Sequence, residues 1–159
     1  MTVVGFTGHQ NITAMTRRRV AGAIAGELAG LGDASLVGVS SLAAGADQLF
    51  AFCVLAAGGQ LTFIQPADGY RDTMSGADLL RYDHLLPLVT ATEVMPFDEP
   101  SEKAYYAAGQ RIVDMCDLLL AVWDGRPAGG LGGTADVVAA ARTKGKTIKV
   151  IWPDGAGRG

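Results

Sequence analysis

The sequence predicts an α/β protein, a three-layer αβα sandwich built on a Rossmann-like parallel sheet. Short apolar, β-branched segments alternate along the chain with longer segments of helical periodicity, which is typical of a parallel sheet covered by helices on both faces. Of the 159 residues, 49% are hydrophobic and only 18% are charged, so the chain can bury a compact core. Glycine, with 22 residues, is about twice as frequent as in an average protein.

Six segments have the composition of strands, each an aliphatic or β-branched run bounded by glycine, proline or polar residues. They are TVVGF at 2–6, SLVGVS at 35–40, LTFIQ at 61–65, TEVMPF at 92–97, DLLLAVW at 117–123 and TIKVIW at 147–152. Helical spacing occurs at 16–31, near 46–57, at 102–116 and at 134–144, and the looser stretch 67–91 holds a helix interrupted at Pro87. We therefore expect a single domain over residues 1–153, followed by a C-terminal tail at 154–159.

Charge and cysteine usage narrow the class of protein. The net charge is −3 and the one basic run lies at 17–19, so we do not expect nucleic acid or a membrane as a partner. Cys53 and Cys116 have neither CxxC spacing nor a nearby histidine, which argues against a metal site and favours a reducing compartment. The sequence has no signal-peptide pattern and no apolar run long enough to span a membrane. We expect a cytoplasmic protein with no metal and no cofactor.

Three predicted loops between a strand and the next helix are rich in glycine and small residues. They are GFTGHQN after the first strand, SSLAAGADQ after the second and WDGRPAGGLGGTAD after the fifth. In a parallel sheet these loops meet at the edge where ligands bind. A helix N-terminus there offers unpaired N–H groups to a phosphate, and a missing side chain allows close approach. Each loop taken alone is equally compatible with a tight turn, but three at one edge favour a phosphate site.

The candidate ligand-binding residues come from these loops. They are Thr7, Gly8, His9, Ser41, Leu42, Gly45, Asp47, Gly132, Gly133 and Thr134. Thr134 either caps the following helix or donates its hydroxyl to a phosphate oxygen. Asp47 either caps its own helix or binds ligand hydroxyls. Asp124, at the end of the fifth strand, suits a ribose or a reacting sugar, and it equally suits the turn before Gly125.

Two of the loops resemble known signatures. SSLAAGADQLFA resembles the SGxAxGxD signature of Smf/DprA DNA-processing proteins, with Gly45 and Asp47 at its glycine and aspartate. CDLLLAVWDG followed by GGLGGTADVVAAA resembles the GGxGT loop of the LOG family. With GFTGHQ as the first-strand loop, the chain from Val3 to about Pro153 resembles the SLOG superfamily, which is named for these two families. The resemblance implies a Rossmann-like fold that binds nucleotides or nucleotide-derived ligands, and association into homo-oligomers.

Whether the chain is an enzyme stays open. The chain resembles LOG enzymes in the GT of this loop. Those enzymes cleave the N-glycosidic bond of nucleoside monophosphates and use the glutamate of their PGGxGTxxE motif. In this chain Val137 stands in the place of that glutamate. The resemblance therefore favours binding or sensing of a nucleotide. The alternative is a LOG-like phosphoribohydrolase or a deoxyribosyltransferase-like enzyme. In that case Asp124 or Asp136 is the catalytic carboxylate, and Arg111, on the helix that borders the pocket in LOG proteins, binds the phosphate.

Overall fold

The computed structural model describes residues 1–32, 34–127 and 130–158. Over these residues the chain forms six strands and five α-helices, in the predicted order. The strands are β1 (Thr2–Gly8), β2 (Leu36–Ser40), β3 (Gln60–Gln65), β4 (Ala91–Val94), β5 (Leu118–Val122) and β6 (Thr147–Ile151). The helices are α1 (Ala14–Ala29), α2 (Ala46–Ala56), α3 (Gly76–Leu85), α4 (Glu102–Met115) and α5 (Thr134–Thr143). Pro87 lies in a short 3-10 helix, Leu86–Leu88, directly after α3, and β4 ends before Pro96.

All six strands form one parallel sheet in the order β4-β3-β2-β1-β5-β6. Helices α1 and α2 cover one face and pack against each other, whereas α4 and α5 cover the opposite face. The three-layer αβα sandwich with a Rossmann-like sheet is therefore confirmed. The chain leaves β1 towards β2 and reaches β5, on the other side of β1, only after β4. The direction of winding thus reverses between β1 and β5, which is where ligands bind in folds of this type.

Each face of the sheet is sealed by its own apolar layer. Phe6 of β1 stacks on Phe50 of α2 with ring centroids 4.6 Å apart, and Ile112 of α4 is buried on the other face. A β-carbon on Gly38 of β2 would lie 2.7 Å from Cγ2 of Val54, so this glycine lets α2 lie close to the sheet. Part of the high glycine content thus serves close packing of helix on strand. Among the described residues, no helix is both long and apolar enough to cross a membrane.

Residues 154–158, predicted to be a tail, run from the end of β6 back to the start of α1. The backbone N–H of Thr13 donates to the carbonyl of Gly157 at 3.1 Å. In return, the N–H of Gly157 donates to Oγ1 of Thr16 at 2.8 Å. This C-terminal segment therefore lies at the same edge of the sheet as the carboxyl ends of β1 and β5.

Candidate functional site

A pocket of about 660 Å³ opens at the carboxyl edge of the sheet, beside the reversal between β1 and β5. Its size falls within the range of about 300–1,000 Å³ that small-molecule sites occupy. The loops after β1, β2 and β5 form its walls together with the start of α4 and residues between β3 and α3. Most of the predicted ligand-binding residues line it: Thr7, Gly8, His9, Ser41, Asp47, Gly132, Gly133 and Thr134.

The glycine-rich loop before α5 lines the pocket with backbone N–H groups. Gly132 has φ +86°, a conformation that favours glycine, and its N–H donates to Oδ2 of Asp136 at 2.9 Å. Gly133 precedes the helix and provides no capping side chain. The N–H groups of Gly133, Thr134 and Ala135 donate to no acceptor among the described residues. These donors and the dipole of α5 together stabilise an anion placed against them.

Thr134 adds a hydroxyl to these donors. It is the first residue of α5, and Gly133 holds the N-cap position. Thr134 is only 8% exposed, and it lines the pocket. Its hydroxyl has no hydrogen-bond partner within the described part of the chain, so it is available to a ligand.

Gly45 and Leu42 lie behind the pocket wall, where the loop after β2 packs on the loop after β1. The N–H of Ala46 donates to the carbonyl of His9 at 3.1 Å. Gly45 has φ +83°, and a β-carbon on it would collide with the backbone carbonyl of Gln10. Leu42 is fully buried and has φ +53°. These two residues fix how the loops pack on each other, and neither lines the pocket.

His9 and Arg158 meet at the rim of the pocket, next to Asp124. Nε2 of His9 accepts a hydrogen bond from the N–H of Asp124 at 3.1 Å and lies 3.1 Å from Nη2 of Arg158. Nε2 of His9 also lies 3.3 Å from Oδ1 of Asp124. Its two shorter contacts are with N–H donors, an arrangement that favours the neutral ring with its proton on Nδ1. Burial and the charge of Arg158 lower the pKa of His9, and the opposing effect of Asp124 does not offset them.

Asp124 belongs to this cluster but does not line the pocket. Its Oδ2 lies 2.8 Å from Nη2 of Arg158, and its Oδ1 accepts from the N–H of Arg126 at 3.0 Å. Burial alone raises the pKa of Asp124, but the hydrogen bonds from Arg126 and Arg158 outweigh it, and the pKa lies below its usual value. Asp124 is therefore an anion that closes a turn and holds an arginine.

Another part of the pocket combines a buried carboxyl group with aromatic side chains. Asp47 is 7% exposed, and its Oδ2 accepts from the N–H of Ala43 at 3.4 Å. Burial raises the pKa of Asp47 to about 7, although hydrogen bonds from Ala43 and Ser40 lower it. Tyr70 and Tyr105 line the pocket with ring centroids 6.3 Å apart. This wall suits a ligand with a flat apolar face and a polar group.

Arg111 lies outside the pocket. Its Nε donates to Oε2 of Glu93 at 2.8 Å, and it lines a separate shallow groove on α4. The arginines that line the pocket are Arg126 and Arg158, which the sequence pattern did not single out. Arg126 was recognisable from its place within the glycine-rich loop. Arg158 was not, because only the fold brings the C-terminal segment to the pocket.

No protein-family model and no curated protein matches the sequence. Solved structures do resemble the fold. DNA processing protein A (DprA) from Streptococcus pneumoniae superposes with a TM-score of 0.73 at 18% identity, over 98% of this chain and 52% of its own. DprA from Helicobacter pylori gives a TM-score of 0.67 at 16% identity, over 99% of this chain and 68% of its own. The molybdenum cofactor (Moco) carrier protein of Chlamydomonas rheinhardtii gives a TM-score of 0.56 at 17% identity, over 94% of this chain and 74% of its own.

These similarities establish a shared fold. The chain spans about half the length of the pneumococcal DprA. The Rossmann-like fold that the sequence resemblance implied is therefore confirmed.

The expectation that nucleic acid is not a partner needs correction. The Helicobacter pylori DprA that shares this fold is described as binding single-stranded DNA. A net charge of −3 is a sum over the whole molecule. It does not report the local charge at the pocket rim, where Arg126 and Arg158 lie. Net charge is therefore no ground for excluding a nucleic-acid partner.

Proposed function

We propose that this protein binds a nucleotide or a nucleotide-derived ligand, with a phosphate group against the N-terminus of α5. The observation that carries the proposal is the set of unpartnered donors in the pocket. The N–H groups of Gly133, Thr134 and Ala135 lack acceptors in the described part of the chain. Thr134 places a hydroxyl beside them, and Arg126 and Arg158 supply positive charge. Phosphate oxygens match this combination of donors and charge.

The remaining wall of the pocket supports the nucleoside part of the ligand. Tyr70 and Tyr105 offer aromatic surface, and Asp47 offers a carboxyl group that accepts from hydroxyl or amino groups. Asp78 and Glu102 also line the pocket, so its lining carries both acidic and basic side chains. A ligand that is anionic at one end and rich in donors at the other fits this distribution of charge.

The enzymatic alternative has less support from the geometry. Neither Asp124 nor Asp136 lines the pocket, because Asp124 holds Arg158 and Asp136 holds the N–H of Gly132. A glycosidase needs a carboxyl group beside the anomeric carbon. We therefore keep N-glycosidic hydrolysis as an alternative that would have to use Asp47 or another pocket carboxylate.

The first test is thermal unfolding of the protein against nucleoside monophosphates, cyclic nucleotides and ADP-ribose. A ligand at about 100 times its Kd stabilises the folded state by about 2.7 kcal/mol, a rise of roughly 5–10 °C in Tm for a domain of this size. We expect one class of phosphate-bearing ligand to raise Tm. No rise with any of these ligands would contradict the proposal.

The variant Gly133→Val tests the position of the phosphate. Gly133 has φ −71°, which valine can adopt without backbone strain, and the substitution places side-chain atoms at the proposed anion site. The matched control is Gly22→Val on the exposed surface of α1, where an added β-carbon meets no atom within 4 Å. We expect only Gly133→Val to abolish the ligand-induced rise in Tm. An undiminished rise would show that the phosphate lies elsewhere.

Single-stranded DNA is a second candidate ligand, favoured by arginines beside the pocket. Arg17 and Arg18 lie near the start of α1, which contacts the C-terminal segment carrying Arg158. Arg126 and Arg158 line the pocket itself, beside the acidic Asp78 and Glu102, so positive charge is present at this edge despite the negative net charge. This arrangement suits a strand whose phosphates run across the pocket mouth.

Fluorescence anisotropy with a labelled oligo(dT) tests this candidate at two salt concentrations. If Arg17 and Arg18 contact phosphates, alanine at both positions lowers the slope of log K against log salt by about 0.7 per lost contact. Arg111→Ala serves as a control, since Arg111 pairs with Glu93 in a separate groove. The absence of wild-type binding at low salt would rule out this candidate.

A further inference from the structure

The C-terminal segment is anchored to the start of α1 independently of its arginine side chain. Thr13 and Thr16 hydrogen-bond to the backbone of Gly157, and the guanidinium of Arg19 donates to the carbonyl of Asp154. The N–H of Ala156 also closes a turn onto the carbonyl of Pro153 at 3.0 Å. The Arg158 side chain is therefore not required to hold the segment in place.

The guanidinium of Arg158 is nevertheless held in a fixed position. Nη2 lies 2.8 Å from Oδ2 of Asp124 and 3.1 Å from Nε2 of His9. The lowered pKa of Asp124 keeps its carboxylate ionised beside the guanidinium, and Nε2 of a neutral His9 with its proton on Nδ1 accepts from Arg158. The rings of Trp152 and His9 are perpendicular, with centroids 5.5 Å apart, and this contact further restrains the imidazole.

Donors remain on this guanidinium for a ligand. An arginine has five N–H groups, and both contacts use the same amino group, Nη2. The Arg158 side chain is 44% exposed and lines the pocket that also contains the N-terminus of α5. An oriented guanidinium with free N–H groups is suited to binding a phosphate through two parallel hydrogen bonds.

We propose that Arg158 binds the phosphate of the ligand together with the N-terminus of α5, so that the C-terminal segment forms one wall of the binding site. Asp124 and His9 are then positioning residues, which orient the guanidinium. This inference rests on the proposed function. It makes Arg158 the residue whose positive charge contacts the phosphate, whereas the resemblance to LOG proteins gave that role to Arg111.

Calorimetric titration of the full chain tests the assignment with four nucleoside monophosphates, AMP, GMP, CMP and UMP, and with the corresponding nucleosides. We expect Arg158→Ala to weaken binding of the monophosphate at least about tenfold and to leave binding of its nucleoside within about twofold. Arg158→Lys should recover part of the loss, because it restores the charge without the two parallel donors. Arg111→Ala, the matched control, should bind both compounds as the wild type does.

The outcomes separate the two proposals. If Arg158→Ala binds the monophosphate as tightly as the wild type while Gly133→Val does not, the inference about Arg158 is overturned and the proposed function stands. If Arg158→Ala weakens nucleoside and monophosphate equally, the side chain supports the pocket without contacting phosphate, which also overturns the inference. If the wild type binds none of the eight compounds, and neither the cyclic nucleotides nor ADP-ribose raise its Tm, both proposals fall.

Discussion

The carboxylate of Asp136 accepts a hydrogen bond from the N–H of Gly132 at 2.9 Å, so a residue in the first turn of α5 closes the glycine-rich loop that precedes it. This contact fixes the loop in the shape that presents the N–H groups of Gly133 and Thr134 to the pocket. It also gives Asp136 a structural role, in contrast to the catalytic role considered from the sequence.

Replacing Asp136 with alanine should lower the free energy of unfolding by about 0.5–2 kcal/mol, because a hydrogen bond and a favourable charge at a helix N-terminus are both lost. The variant Asp136→Asn keeps an acceptor oxygen and loses only the charge, so its stability should be intermediate. Urea unfolding monitored by circular dichroism measures both changes. Equal stability of Asp136→Ala and the wild type would contradict a role in closing the loop.

Two glycines of the same loop should respond differently to alanine. Gly132 has φ +86°, and an added β-carbon would lie 2.7 Å from the backbone N of Tyr106, so Gly132→Ala should destabilise by more than about 2 kcal/mol. At Gly130 the added carbon would meet only the end of the flexible Glu102 side chain. Gly130→Ala should therefore stay within about 1 kcal/mol of the wild type. The denaturant midpoints of the two variants measure the difference. If both variants lost similar amounts of stability, the packing of the loop on α4 would be refuted.

Gly45→Ala should destabilise the protein strongly without a direct effect on the ligand. The positive φ of Gly45 and the collision of a β-carbon with the Gln10 carbonyl together predict a loss of more than about 2 kcal/mol. Ala44 lines the pocket one position earlier, so Ala44→Gly serves as a control that loosens the same loop without a collision. Thermal unfolding checks both variants. A Gly45→Ala variant with wild-type Tm would contradict the close approach of the two loops.

The buried carboxyl of Asp47 should make stability fall as pH rises. Its pKa is about 7 in the folded state against 3.8 for an exposed aspartate, so the folded state holds the proton more tightly. The contribution of the Asp47 proton to the free energy of unfolding is complete below about pH 4 and is lost as the pH rises from about 4 to 7. Asp47→Asn removes this dependence and keeps an acceptor for the N–H of Ala43.

We therefore expect Asp47→Asn to gain stability relative to the wild type as the pH is raised from 5 to 8. His9 acts in the opposite direction, because its lowered pKa makes stability rise with pH below about 6.5. The contribution of His9 cancels when the free energy of unfolding of the wild type is subtracted from that of Asp47→Asn at each pH. A difference between variant and wild type that does not change with pH would contradict the burial of a protonated carboxyl group.

Much of the fold was predictable because hydrophobic periodicity is a local signal. Each predicted strand and helix is present, and the boundaries moved by a few residues, as where β1 extends to Gly8 and α1 begins at Ala14. The rule that parallel strands place their βα loops at one edge was sufficient to bring Gly8, Asp47 and Gly133 into one pocket. Local pattern and topology together therefore predicted which loops surround this pocket.

The polar side chains around the pocket were predicted less well, since their partners are distant in sequence. Nothing local to Arg111 indicates that Glu93 will bind it, and nothing local to Arg158 indicates that Asp124 and His9 will. Gly45 was predicted as a ligand residue, whereas its lack of a side chain is required by the nearby Gln10 backbone. Such assignments depend on contacts that only the folded chain creates.

The position of the C-terminal segment has a practical consequence for how the protein is attached to a surface. Met1 is 83% exposed at the amino end of β1, the edge of the sheet that faces away from the pocket. Arg158 lies at the pocket rim. A sensor chip or resin coupled through residue 1 leaves the pocket facing solution, whereas a linker joined beyond residue 158 starts at the pocket mouth and competes for access with whatever the pocket binds.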